Sequence, residues 1–166
     1  MTNRTTVTGT RIYDYCYSSF SHPRDVIAKE GQFDTSSSSF FEDRRFPSFA
    51  INGFFSYSHN LAFFSKERPS LGPAEWWMIN LNRVVAVESI IVVPPPGDYF
   101  NQIIVRLGNN NNHVNNEKVF TIEDNPEPRM PFTIVLPIGK SGQYLSFESN
   151  KVKYLGIGLV QILENK

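Results

Sequence analysis

Cysteine is all but missing from this chain. Cys16 is the only one in 166 residues, so an internal disulfide is excluded, and with it any zinc site built from several thiolates. Beside Tyr15 and Tyr17, a lone thiol reads as a packing residue, with an intermolecular disulfide as the alternative. A surplus of charge is missing too. Sixteen Lys and Arg offset sixteen Asp and Glu, which leaves no global field to draw in nucleic acid, and any electrostatic partner must be met locally. No run reaches membrane-spanning length, and the opening MTNRTTVTGTRIYDYCYSSF is polar where a secretory leader would be basic and then apolar. The expectation is either a cytoplasmic protein or a mature form whose leader has been removed. The single sequon Asn3-Arg4-Thr5 would be glycosylated only in the second case.

Catalytic signatures are also lacking. There is no Gly-x-Ser-x-Gly, no Cys–His context, no glycine-rich phosphate cradle and no His-Glu-x-x-His. Glu42, Asp43, Asp98 and Glu148 are of the type that serves glycosidases in pairs, but no spacing selects any two of them. A non-enzyme is expected.

What the chain has instead is aromatic rings and β-branched runs. Phe, Tyr and Trp make up 14% of it, which favours strands and a core rich in apolar area. The stretch AEWWMINLNRVVAVESIIVV, residues 74–93, lacks the 3.6-residue spacing of a helix and reads as a pair of strands with a bend between them. Alternation puts Trp77, Ile79 and Leu81 on one face, while Val87 to Val93 is apolar enough to be covered on both faces. Ile103, Val105 and Leu107 point inward with Arg106 outward, and Gly108 ends that strand. Further strands are expected at Val119–Ile122, Phe132–Leu136, Tyr144–Phe147 and within Tyr154–Leu163. TSSSS (35–39) and FFEDRRFP (40–47) read as an exposed excursion, SFAINGFFS (48–56) as a helical turn or strand broken at Gly53, and NNNNHVNN (109–116) as a solvated loop that includes His113. About eight short strands without a long helix indicate an all-β fold, an antiparallel β-sandwich or jelly roll. Residues 1–24 form an extended leader and 25–166 the domain.

The order of these segments resembles the discoidin, or coagulation factor V/VIII C-type, superfamily with its galactose-binding-like jelly roll. Within it, the chain is most similar to the F-type, fucose-binding lectins. Three segments carry the likeness: Ala50-Ile51-Asn52-Gly53, Trp76-Trp77-Met78-Ile79-Asn80-Leu81 and Val105-Arg106-Leu107-Gly108. The resemblance implies that one tryptophan fills the core while its neighbour points the other way, capping the sheet edge or a flanking loop. It implies an extracellular or cell-surface setting and loops at one end of the sandwich as the binding surface.

The departures bear on function. Fucose-binding members use two arginines and adjacent cysteines from the turn that reads Pro94-Pro95-Pro96-Gly97-Asp98-Tyr99-Phe100 here, so that recipe is missing. The resemblance also implies a Ca2+ site, but Asn52 stands where an aspartate is usual and Leu159 where a glutamate is usual. Calcium wants several hard, preferably charged oxygens.

Candidate ligand-binding residues are Arg44, Arg45, His59, Asp98 and Tyr99, with Phe40, Phe41 and Phe100 as apolar platforms. Arginine forks can hold sugar hydroxyls while rings stack on the sugar's apolar face. The proline-rich turn would preset the residues that follow it. The favoured reading is a lectin-like module for a glycan or glycoprotein, displayed multivalently through oligomers or tandem domains. The alternatives are a protein-interaction, scaffold or cell-adhesion domain that kept the fold and lost the sugar site, and a phospholipid-surface binder acting through residues 40–47.

Overall fold

The computed structural model describes residues 32–41, 45–52, 62–68, 72–124, 126–149 and 154–165. The expected leader, Cys16, Glu42–Arg44, Gly53 and His59 lie outside them.

Nine strands are ordered along the described chain: β1 (Asp34–Ser37), β2 (Phe63–Phe64), β3 (Glu75–Val93), β4 (Ile103–Gly108), β5 (Glu117–Ile122), β6 (Phe132–Val135), β7 (Ser141–Ser149), β8 (Gly156–Ile157) and β9 (Leu159–Glu164). The two strands read in residues 74–93 are one 19-residue strand, β3, and the expected bend is real. Asn82 adopts φ 59°, its N–H bonded to Asn80 Oδ1 at 2.9 Å, and the pairing register slips between Asn80 and Val85. Asparagine tolerates this left-handed conformation because its side chain can hydrogen-bond the local backbone.

The bend turns one sheet into two layers. Before it, β3 pairs antiparallel with β1 and β7, giving the order β1-β3-β7-β4-β5; after it, β3 lies between β6 and β9. This is the expected all-β sandwich. A separate β2–β8 ladder sits beside these layers.

Between the layers lies a continuous apolar core. Trp77, Ile79 and Leu81 from the first half of β3 meet Ile90 and Val92 from the second, with Val105, Phe147, Ile134 and Ile162. Trp77 is fully buried. Its indole N–H donates to Pro47 O at 2.9 Å, so the core ring carries no unmet donor. Of the run Val87 to Val93, expected to be covered on both faces, Ser89 to Val93 is buried on both, while Glu88 is half-buried.

The serines of 35–39 are a correction to the exposed excursion. Asp34–Ser37 is an edge strand paired to β3. Ser38 and Ser39 then donate to the buried Glu75 carboxylate, Ser39 at 2.7 Å. Hydroxyl runs cannot fill an apolar core, but they can satisfy a buried anion. The helical-turn alternative for 48–56 holds for its first part: Pro47–Ile51 is a 3-10 turn led by its proline.

Candidate functional site

Residues far apart in sequence are stitched side by side at one place. The Phe41 N–H donates to Phe64 O at 2.8 Å. Phe64 pairs with Gly156 across the β2–β8 ladder, and the Gly156 N–H donates to Tyr99 O at 2.9 Å. The strap bearing Phe41 is anchored upstream by the Ser38 and Ser39 bonds to Glu75, and Ser39 also accepts from the Lys66 N–H at 2.9 Å. The backbone thus fixes where three side chains must emerge.

Those side chains, with Arg45 and Tyr154, line a concavity of about 270 Å³. The Arg45 guanidinium carbon lies 4.7 Å from the Phe64 ring centroid and 5.2 Å from that of Phe41. A cation held against two ring faces keeps its attraction to both and loses little further freedom on binding. Tyr99 meets Phe64 edge-on at 5.2 Å and Tyr154 at 6.1 Å, and Tyr154 meets Phe41 at 6.1 Å. Such edge-to-face pairs are the favoured aromatic geometry. The Tyr154 hydroxyl donates to Glu67 Oε2 at 3.0 Å.

Glycine is required at two positions here. At Gly97, φ is +98° and a Cβ would come within 2.5 Å of the Tyr99 ring. At Gly156, a Cβ would stand 2.8 Å from Phe64, 2.8 Å from Pro95 and 2.9 Å from Tyr99. The cup closes only because neither residue has a side chain.

The expected binding residues divide accordingly. Phe41, Arg45 and Tyr99 come together in the cup. Phe40 is 38% exposed and packs on Phe46 at 5.4 Å, while Asp98 is exposed one residue before Tyr99; neither lines the cup. Phe100 is not a platform but a core residue, fully buried, 5.8 Å from Phe147. Arg44 and His59 lie outside the described residues. Sequence reasoning missed Phe64 and Tyr154 as lining residues. The aromatic density of 54–64 hinted at the first, and nothing local marked the second.

A second polar cluster occupies the outer face of the larger layer. Trp76 points opposite to Trp77 and stacks on His113 at 4.8 Å and 28°, so it caps a flanking loop as the resemblance implies. The solvated His113 expected in the asparagine-rich loop is therefore corrected: its side chain is 12% exposed, and Nε2 lies 3.7 Å from Glu148 Oε2. Asn116 closes that loop through bonds to the backbone of Asn110 at 2.9 and 2.8 Å. Arg106 completes the cluster, with Nε 3.2 Å from Glu148 and one bond to Asn116 O. Burial pushes the His113 imidazole below its usual range; Glu148 opposes that shift and Arg106 reinforces it.

Neither position at which the resemblance implies a calcium-binding carboxylate carries one. Asn52 follows the 3-10 turn as its cap, and Leu159 is an apolar residue buried in β9. Among the described residues no group of three or more His, Cys, Asp or Glu could hold a metal ion. No helix among them is long and apolar enough to cross a membrane.

No protein-family model matches the chain, and no curated protein does. Solved structures match well. An F-lectin (fucolectin) from striped bass, Morone saxatilis, serum superposes with a TM-score of 0.74 at 18% identity, covering 86% of this chain and 49% of the lectin. This chain thus spans about half the length of that protein. A fucose-binding module of Streptococcus pneumoniae superposes with a TM-score of 0.66 at 21% identity over 84% of this chain and 98% of the module. The lectin domain of lectinolysin, complexed with Lewis b antigen, does so at 0.66 and 17% over 84% and 96%. By these superpositions, together with the two layers joined by a bent β3, the chain has the discoidin-type, galactose-binding-like β-sandwich fold.

Proposed function

We propose that this protein is a non-catalytic carbohydrate-recognition module that takes its ligand into the Phe41–Arg45–Phe64–Tyr99–Tyr154 cup. The observation that carries this reading is the Arg45 guanidinium held against two rings, with two tyrosines beside it. A fixed fork can bond two adjacent oxygens, and tyrosine rings can cover the C–H face of a pyranose. The neighbours support it, being lectins and fucose-binding modules by their own descriptions. Fold alone does not fix function, so the weight rests on the cup. Arg44, His59, Asp98 and Phe40 stay in this proposal as further candidates for ligand contact. A glycan or glycoprotein outside the cell or on its surface is the partner, and weak single sites would gain from display in several copies.

A glycan array, run with and without calcium, tests the reading. Saturable binding is expected, reduced about tenfold or more in Arg45→Ala, which removes the charged fork, and reduced in Tyr99→Ala, which removes a ring and a phenol. Arg44→Ala and His59→Ala test whether those two side chains contribute to binding. An array without signal, together with proteins recovered by pull-down or binding to liposomes lost in Phe40→Ala, would replace the glycan with a protein or lipid partner.

A further inference from the structure

Among the described lining residues of the cup the one charged group is the Arg45 guanidinium, which can only donate, and it is held against two rings. The Tyr154 hydroxyl gives its proton to Glu67, so its oxygen is left to accept, and no carboxylate or amide side chain is among the described lining residues. A neutral sugar presents hydroxyls, and each carries a proton that needs an acceptor. The guanidinium meets none of those protons, and the side-chain acceptors among the described lining residues are the two phenol oxygens, so a hydroxyl set against Arg45 gains nothing for its own proton there. A carboxylate or sulfate group is the converse: it only accepts, and its oxygens match the guanidinium fork.

We propose that the ligand is an acidic sugar whose carboxylate or sulfate oxygens dock edge-on to Arg45 while its ring lies against Tyr99 and Tyr154. This rests on the carbohydrate reading above and adds the class of sugar. Recognition is short-range. Glu67 lies beyond the Tyr154 hydroxyl, Asp98 is exposed beside Tyr99, and the chain has no net charge, so no broad positive field steers the anion inward. The rings on Arg45 fix its plane before the ligand arrives, which favours contact binding over attraction at a distance.

The test is an array carrying uronate-, sialate- and sulfate-terminated glycans beside their neutral counterparts, followed by calorimetric titration of methyl α-glucuronide against methyl α-glucoside. Acidic forms are expected to bind about tenfold or more tightly than neutral ones, the usual margin of a charge-assisted pair over a neutral bond. Arg45→Gln should abolish that preference. Arg45→Lys, which keeps the charge but not the fork, should retain only part of it. Preference for sulfated glycans alone identifies a tetrahedral anion as the ligand; preference for uronates or sialates identifies a planar one. Neutral glycans bound as tightly as acidic ones overturn this inference and leave the carbohydrate reading standing. Silence across both halves of the array overturns both. Should Arg45→Gln fail to fold, the acidic-to-neutral ratio of the unmodified protein and the Arg45→Lys result still decide.

Discussion

Trp76 and Trp77 are adjacent and chemically identical, so replacing each by phenylalanine is a direct test of the layering. Trp77→Phe removes an N–H and roughly 40 Å³ of ring from a fully closed site, a void worth about 1 kcal/mol. It also strips the Pro47 carbonyl of its donor, adding about 1–2 kcal/mol. With the lost apolar transfer the total is about 2–4 kcal/mol, or roughly 4–16 °C in Tm for a domain of this size. Trp76 is half-buried, and a phenyl ring can still stack on His113, so Trp76→Phe should cost less than about 1 kcal/mol. Urea and thermal unfolding followed by far-ultraviolet circular dichroism measure both without relying on tryptophan emission. Equal costs, or a larger one at position 76, would refute the assignment of Trp77 to the core.

In the Trp77→Phe protein, emission comes from Trp76 alone and reports on its stacked imidazole. His113 has a folded-state pKa below its usual value, chiefly from burial, so the unfolded chain takes up the proton first as pH falls. The packing of this loop is therefore fully present above the ordinary histidine pKa and weakens as pH drops through it toward the lower folded value. A fluorescence change with a midpoint below about 6.5 is expected, absent in His113→Gln; a midpoint above that value would contradict the burial argument. Gly97 and Gly139 make a second matched pair. Both have positive φ, +98° and +91°, but a Cβ meets the Tyr99 ring at the first and nothing within 4 Å at the second. Both alanine variants should lose about 1–2 kcal/mol to backbone strain, yet only Gly97→Ala should also weaken glycan binding, and loss of binding in Gly139→Ala would sink the assignment.

What was legible in the sequence was whatever repeats with a period of two. Trp77-Ile79-Leu81 and Ile103-Val105-Leu107 are inward where alternation puts them, because each strand presents one face to a single core. The bend in β3 was legible because Asn80-Leu81-Asn82-Arg83 interrupts two apolar runs. Residues whose partners are distant were not. Ser38 and Ser39 look solvated until Glu75, buried and far along the chain, is seen to need their hydroxyls. His113 looks solvated until Trp76 and Glu148 are brought beside it by β3 and β7. Tyr99 and Phe100 fared differently for a local reason. The turn carrying them was read as a tip with both rings on the ligand edge, yet neighbouring side chains diverge, and the second fills the core.

The cup escapes sequence analysis for a deeper reason, which also bears on how such a site can change. Three of its walls are set by main-chain bonds, from Phe41 to Phe64, across to Gly156 and on to Tyr99. Main-chain bonds leave little trace in residue type, and a two-residue strand such as β2 is too short to show any period. The same bonds survive most side-chain replacements. Arg45, Tyr99 or Tyr154 can therefore be exchanged to alter which ligand is held, while the frame that presents them stays assembled. Gly156 is the exception: its missing side chain lets Phe64, Pro95 and Tyr99 converge, so any substituent there must displace a wall and the frame together. A chain that had given up ligand binding would be free to fill the cup from the side-chain positions, but not from this one.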